Sequence, residues 1–522
     1  MIFPRLSLFF SDCLNAKAIS EARVFAFSLA LVSSLLSLLF FSASCFAYDL
    51  EKQVKRFTLQ NGLKVLIVER NFSPTVSLYI CHKVGAVDEP SGKTGTAHFL
   101  EHMLFKGTRT IGAKNYSKEK TILDDIARTL QALDRESMKG EKADRSRIKS
   151  LSDQLEKLEN DHSVLFHSNE IDRLYTENGA ERLNASTGQD VTTYQVSLPS
   201  NKLELWARIE SERMVSPVFR EFYSERKVIM EERRQSIESD PDGKLFEQFM
   251  AAAFIAHPYG RPILGWPYDM SYLNMHDLEY FLRRYHTPDN TVIAVVGHVD
   301  HLSVLRIIRK YFGEIPSGER HFHPVTAEPP QLGERRVKIT FDANPRLIMG
   351  YRKPSLPSFD DYVFDVIQTM LTDGRVSRLY RTLVEEKALA ETVWTTNGMP
   401  GARYDNLFTI YAAPRYPHTL AELEVALVNE LERLKKEPVD QRELDRVKNT
   451  IKADFIRSLD SNAALAGMLS YFETVAGDYR YIVHHNQIID RITRDDILRV
   501  AQKYFTDNNK TIAMLIPQTP SR

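Results

Sequence analysis

The chain has 522 residues, more than one ordinary hydrophobic core holds, so at least two domains are expected. Apolar residues make up 43% and charged residues 26%, the balance of a folded globular protein rather than a disordered or fibrous one. Lys and Arg number 68 against 69 Asp and Glu, so there is no charge excess of the kind that nucleic acid or an acidic membrane surface selects.

Taken in chain order, the first feature is a leader. Residues 24–43 carry no charge, Arg5, Lys17 and Arg23 precede them, and small residues follow around Cys45-Phe46-Ala47. This reads as a secretory signal over residues 1–47 with cleavage after Ala47, which places the protein in the periplasm or outside the cell. An uncleaved membrane anchor is the alternative, because the apolar run is long for a signal. A lipid-modified Cys45 is a weaker third option, since Ser42 stands where such a motif usually has Leu. Cys13 and Cys45 lie in the leader, so the mature chain keeps only Cys81 and forms no internal disulfide. At the end of an apolar strand-like run, Cys81 reads as a small buried hydrophobe.

Two strands, Val54–Leu59 and Leu63–Val68, are predicted around the turn Asn61-Gly62. Next comes a short apolar-rich helix from Ala97 to Phe105, on which His98 and His102 are four apart and share a face. Two imidazoles so placed can hold one metal ion. Glu101, three on from His98, can reach water at that ion without being a ligand. This inverted His-x-x-Glu-His arrangement is one of the known zinc-peptidase motifs.

From about 117 to 177 the chain is charged and helical. Ile122, Ile126, Leu130 and Leu133 form one stripe, and Ile148, Leu151, Leu155 and Leu158 another, with Gly140 in a polar break. An antiparallel helical hairpin projecting from the domain is predicted, a solvated spacer or less plainly a docking arm. Asn184 to Thr187 reads as a short strand. A helix follows through Tyr223 to Glu232, where Glu225 and Glu232 are seven apart and share a face while Glu231 points elsewhere. A catalytic zinc needs a third protein ligand, and these residues alone do not choose between Glu225 and Glu232.

An internal repeat then appears. Asp277, Tyr285, Thr287, Asn290, Ile293 and Ala294 match Asp496, Tyr504, Thr506, Asn509, Ile512 and Ala513 at one ungapped offset of 219. Each copy reads as helix, polar turn, strand. Between the copies, residues 315–333 hold four prolines and two glycines. The expected organisation is therefore a half at 48–316, a linker at 317–333 and a homologous half at 334–522. The second half opens with strands Val337–Phe341 and Leu347–Tyr351. Each half mixes strands with amphipathic helices, so the fold class is α+β. The remaining histidines have no carboxylate at motif spacing. His298 and His301 bracket Asp300, a helix N-cap; His321 and His323 lie in the linker; His484 and His485 lie in a polar helical stretch.

Gly95 to Thr108, Asn184 to Tyr194, Glu225 to Glu232 and His257-Pro258-Tyr259-Gly260-Arg261-Pro262 together resemble the insulinase/pitrilysin family of metallopeptidases. The resemblance implies two similar α/β-sandwich halves forming a clamshell chamber, and one Zn2+ per chain held by His98, His102 and Glu232. It implies Glu101 as general base and Glu225 as a carboxylate supporting the site. It implies a peptide substrate added to the edge of Asn184, Ala185 and Ser186. Two features depart from the family pattern. The interval from His102 to Glu232 is lengthened by the helical insertion. After Ser377-Arg378-Leu379-Tyr380, Glu391 stands where many relatives have Tyr. Some relatives hold substrate with a C-terminal Arg and Tyr, and some divide the roles between paired chains. The resemblance thus implies a homodimer, or a heterodimer with a second family member that supplies those residues.

Overall fold

The computed structural model describes residues 50–318 and 325–518. The leader and the linker residues His321 and His323 lie outside them. The chain divides at Gln53/Val54. In the first unit only the helical turn Leu50–Gln53 is described; the second unit holds both sheets and the remaining helices.

Runs rich in Val, Ile and Leu build two sheets, most of whose inner strands are buried almost continuously while Glu181–Thr187, Thr192–Pro199 and Arg335–Phe341 alternate. The first contains β1 (Lys55–Thr58), β2 (Lys64–Glu69), β3 (Thr75–His82), β4 (Glu181–Thr187), β5 (Thr192–Pro199) and β6 (Thr291–Gly297), in the order β1-β2-β6-β3-β5-β4. The second contains β7 (Arg335–Phe341), β8 (Arg346–Lys353), β9 (Ala390–Met399), β10 (Asn406–Pro414) and β11 (Lys510–Pro517), in the order β7-β11-β8-β10-β9. Without β1 the two orders are the same. Each sheet also has its one parallel pair at the same place, β2 with β6 and β7 with β11. The hairpin at Asn61-Gly62 forms, with Gly62 at φ 86°, where a side chain would strike Asp289.

The helices that matter here are α1 (Thr96–Met103), α2 (Tyr116–Ser137), α3 (Arg145–Ser163), α4 (Leu203–Val215), α5 (Phe222–Arg233), α6 (Pro241–Ala253) and α7 (Met275–Tyr285). In the second half they are α8 (Phe359–Thr372), α9 (Leu420–Lys436), α10 (Gln441–Ser458), α11 (Asn462–Val475), α12 (Arg480–Arg491) and α13 (Arg494–Tyr504). The repeat has a physical basis. Helices α7 and α13 both open with a capping box, Asn274 with Asp277 and Thr493 with Asp496. Asn290 Nδ2 donates to the Tyr285 carbonyl at 2.9 Å, and Asn509 Nδ2 to the Tyr504 carbonyl at 2.9 Å, closing the same turn before β6 and β11.

The halves exchange helices. Helix α6, from the first half, lies on β7, β8 and β11, burying Leu245, Phe249 and Met250 among Ile348, Leu407 and Leu515. Helix α11, from the second half, lies on β3 and β6. Gly350 on β8 makes room for the Phe249 ring, and Gly467 on α11 makes room for the Tyr79 ring. Neither sheet is fully covered by its own half.

The helical insertion differs from its expectation. It is an antiparallel pair, α2 on α3, but it does not project free of the domain. Ile126, Leu130, Leu133 and Leu155 share one core with Phe99, Leu100, Phe219 and Phe222. Buried Arg220 donates to Glu119 at the hairpin base, at 2.5 and 3.0 Å. The same stripes that hold the two helices together also face the layer behind α1, because a hairpin only two helices wide leaves one side of each stripe uncovered.

Candidate metal and peptidase site

Helix α1 is almost wholly buried, and its two faces divide the work. Phe99, Leu100 and Met103 face the core, while His98, Glu101 and His102 line a cleft of about 660 Å³. The helix has no Ser, Thr or Asp at its N-cap; Gly95 occupies it at φ 89°. Its free amides are satisfied from a distance. The Glu89 carboxylate accepts from Gly95 N at 2.8 Å and Ala97 N at 2.7 Å, and the Glu89 carbonyl accepts from Arg261 at 2.8 Å.

Helix α5 brings its two glutamates to this face and separates them. Glu232 Oε1 is 3.8 Å from His98 Nε2, and its Oε2 is 3.7 Å from His102 Nε2. One ligand atom from each of the three residues lies within 4.8 Å of the others. Glu225, two turns earlier, accepts from His102 Nδ1 at 2.8 Å and from Lys106 Nζ at 2.6 Å. Glu231 points outward, paired with Arg234.

The electrostatics agree with the geometry. Burial, then the neighbouring His102, hold the His98 imidazole neutral, down to about 3. Burial works against charge on His102, but the Glu225 carboxylate outweighs it and raises the imidazole above its usual range. Burial is likewise outweighed at Glu225, where the bonds from His102 and Lys106 hold the carboxyl down at about 2. Burial pushes the Glu101 carboxyl up, opposed by the hydrogen bond from Thr187 Oγ1 at 2.6 Å. A carboxylate raised toward neutrality and aimed into a cleft is suited to accept and return a proton.

The donor set fits a metal. Two imidazoles and one carboxylate make a His2Glu set. The two His–Glu separations are a few tenths wider than the about 3.4 Å expected between tetrahedral ligands around zinc. His102 arrives with its Nδ1 engaged by Glu225, as a metal-binding histidine usually does, which leaves Nε2 toward Glu232. His98 lacks that support: its Nδ1 is buried with no partner among the described residues. The other three-residue group, Glu69, Asp300 and His301, is different. There the Glu69 carboxylate already accepts from His301 N and Nδ1, while Asp300 caps its helix through Ser303 N.

Strand β4 is the outer strand of its sheet, paired only with β5. Ala185, Ser186 and Thr187 line the cleft; Asn184 lines an adjoining cavity of about 360 Å³ beside His102 and Glu225. Sequence reasoning did not single out Glu89, Lys106 or Arg261 for these roles. It also missed the far wall, formed by Phe246 and Met250 of α6 and by Met399 and Pro400 from the second half. The loop carrying Met399 and Pro400 is pinned by Arg403, whose guanidinium meets Asp88 at 2.8 and 3.1 Å, and by Asp190, which accepts from the amide of Arg403.

The family profile described as insulinase, peptidase family M16, matches residues 64–132 and 139–266, and that of the peptidase M16 inactive domain matches 272–451. The chain belongs to the insulinase family. The gap in the first match falls at the end of α2, inside the helical insertion. The chain is 27% identical to the zinc protease PqqE of Helicobacter pylori over 468 residues, covering 88% of this chain and 92% of that one. It is 25% identical to an uncharacterized zinc protease of Mycobacterium tuberculosis, covering 86% and 90%. Its fold matches a crystallised Helicobacter pylori protease with a TM-score of 0.74 at 26% identity, covering 89% of this chain and 99% of that one. It also matches the Escherichia coli periplasmic protease PqqL with a TM-score of 0.65 at 19% identity, covering 89% and 48%. The M16 architecture of two like halves is therefore the architecture of this chain.

Proposed function

We propose that this M16 protein is a zinc-dependent endopeptidase acting on oligopeptides or unfolded polypeptide segments. The observation that carries the proposal is the convergence of His98, His102 and Glu232, with Glu101 beside them in a cleft of about 660 Å³ that also reaches the edge strand β4. The names of its relatives as zinc proteases support it.

His98, His102 and Glu232 would hold one zinc ion per chain. When bound, zinc supplies Lewis-acid polarisation and acidifies water. Glu101 takes a proton from the attacking water and returns it to the leaving amine nitrogen. Thr187 fixes the Glu101 carboxylate by its hydrogen bond. Glu225 fixes the His102 ring and tautomer, and Lys106 balances its charge. The free edge of β4 accepts substrate as an added strand, with Ala185 and Ser186 beside the scissile bond. The apolar far wall offers side-chain contacts to the bound peptide.

The reading includes a second chain, either another copy or another family member. In this chain Arg378 is held by Glu443 at 2.6 and 2.9 Å, and Glu391 is exposed on the edge strand β9. Arg378 is thus engaged within the chain, and Glu391 offers a carboxylate where many relatives have a tyrosine hydroxyl, so the family's Arg and Tyr pair is not identified in this chain. An exported location is proposed from the leader, in keeping with the periplasmic PqqL; no helix among the described residues is long and apolar enough to cross a membrane.

Elemental analysis of the purified protein tests the metal assignment. One zinc per chain is expected in the wild type and none in His98→Ala; a His98→Ala protein that retains its zinc removes the ligand assignment.

A further inference from the structure

The duplication that built the active cleft built a second one. Helix α8 follows β8 as α1 follows β3. The third, sixth and seventh residues of α1 are His98, Glu101 and His102; those of α8 are Asp361, Phe364 and Asp365. Helix α10, the counterpart of α5, contributes Asp454. Asp361, Asp365 and Asp454 face a cleft of about 770 Å³. The loop at Gly398–Ala402 separates the two clefts. Met399 and Pro400 line the active one, while Gly398 and Ala402 line the second.

The second cleft has not kept metal chemistry. Among the described residues it holds no three-residue metal group, and Asp361 is taken by the buried ammonium of Lys353. It has instead an excess of acceptors. No Lys or Arg lines it. Asn406, only 1% exposed, lines it with Nδ2 spent on the Gly401 carbonyl and Oδ1 without a partner. Asn397 holds Asp365 through Nδ2 at 2.8 Å, and its own Oδ1 is also unpartnered. Asp454 has one exposed ion pair with Arg457 at 2.9 Å, which competes weakly. Aromatic faces complete the wall: Tyr481 stacks on Phe472 at 4.7 Å, and Phe455 stacks on His485 at 4.8 Å.

Asp365, which meets only the Asn397 amide and the His485 ring at 3.8 Å, and Asp454, with its one exposed partner, are not neutralised by any buried cation. With the two unpartnered amide oxygens and the aromatic rings they call for a planar, many-donor cation. We propose that the second cleft binds an arginine side chain of the polypeptide substrate, across the Gly398–Ala402 loop from the active cleft. The proposal rests on the peptidase reading for its purpose, but its test does not. Full-length Glu101→Gln protein is titrated against two fluorescein-labelled peptides of the same sequence, one with two arginines and one with citrulline in their place. Fluorescence anisotropy reads the affinity. The arginine peptide is expected to bind about tenfold tighter. Asp365→Asn with Asp454→Asn is expected to reduce the preference to under about twofold. Should the double variant fold poorly, Asp454→Asn alone, on a half-exposed position, is expected to lose part of it. Equal binding of the two peptides, or an undiminished preference in folded variants, overturns the proposal. Failure of the wild type to cleave any peptide would count against the peptidase reading and leave the binding result standing.

Discussion

At the scale of single residues, the site depends on a division between two glutamates seven apart. Glu232 faces both histidines, and Glu225 works through one of them. A hydrogen-bond partner behind a metal ligand typically changes metal affinity about 10- to 100-fold. Glu225→Gln is therefore expected to weaken zinc binding by that factor, measured by competition with a chelator, with the fold intact. The same pair sets a pH window in the metal-free chain. Glu225 is held at about 2 against an ordinary 4.5, so its contribution to stability is present above about 4.5 and lost as acid approaches 2. His102 is raised above 6.5, so its contribution is present below 6.5 and lost as pH rises through the raised value. Metal-free wild type is expected to gain most from the pair between those limits, and Glu225→Gln to flatten both flanks in a series of thermal melts. A zinc ion held at His102 would compete with its proton, so zinc affinity is expected to rise with pH over the upper flank. The spacing of Glu225 and Glu232 alone did not say which one faces the histidines, because a shared helix face does not fix the tilt of the helix against its neighbour; only the family resemblance chose Glu232. Glu89 was not visible at all. Its role comes from two backbone amides six and eight residues on, and no side-chain pattern marks a cap supplied from outside the helix.

At the scale of elements, the repeat was legible because it is local. Of its six identities, the capping-box Asp, the helix-ending Tyr, the Thr of the turn and the Asn that closes it lie in one local helix-turn unit, and only the strand residues Ile and Ala pack against distant elements. The hairpin was legible as two striped helices. Its docking was not, because an apolar stripe states that something covers it and not what does. The core behind α1 supplies the cover. Leu130→Ala is accordingly expected to cost about 2–5 kcal/mol, as for a fully buried leucine. Urea denaturation measures it; a change under about 0.5 kcal/mol, as for a surface position, would return the hairpin to a solvated spacer.

At the scale of the whole molecule, the exchange of α6 and α11 makes each sheet dependent on the other half. Neither helix was singled out from the sequence, and periodicity along a chain does not say which half's sheet an apolar helix covers. The far wall of the active cleft was hidden for the same reason, since Met399 and Pro400 lie more than a hundred residues from any other cleft residue. Phe249→Ala removes the ring that α6 seats on Gly350 and is expected to cost about 3–5 kcal/mol. Circular dichroism and tryptophan fluorescence should report one shared transition, moved to lower denaturant. Two separate transitions would show that the halves fold independently and that the exchange is incidental.

The central claim is that Glu101 moves the proton at a site whose metal is held by other residues. Its most direct test measures zinc content and cleavage of a quenched fluorescent peptide library side by side, in the wild type and in Glu101→Gln. The expected result is about one zinc in both proteins and cleavage, faster by a factor of about 100 or more, in the wild type. Equal cleavage by both proteins would contradict the claim.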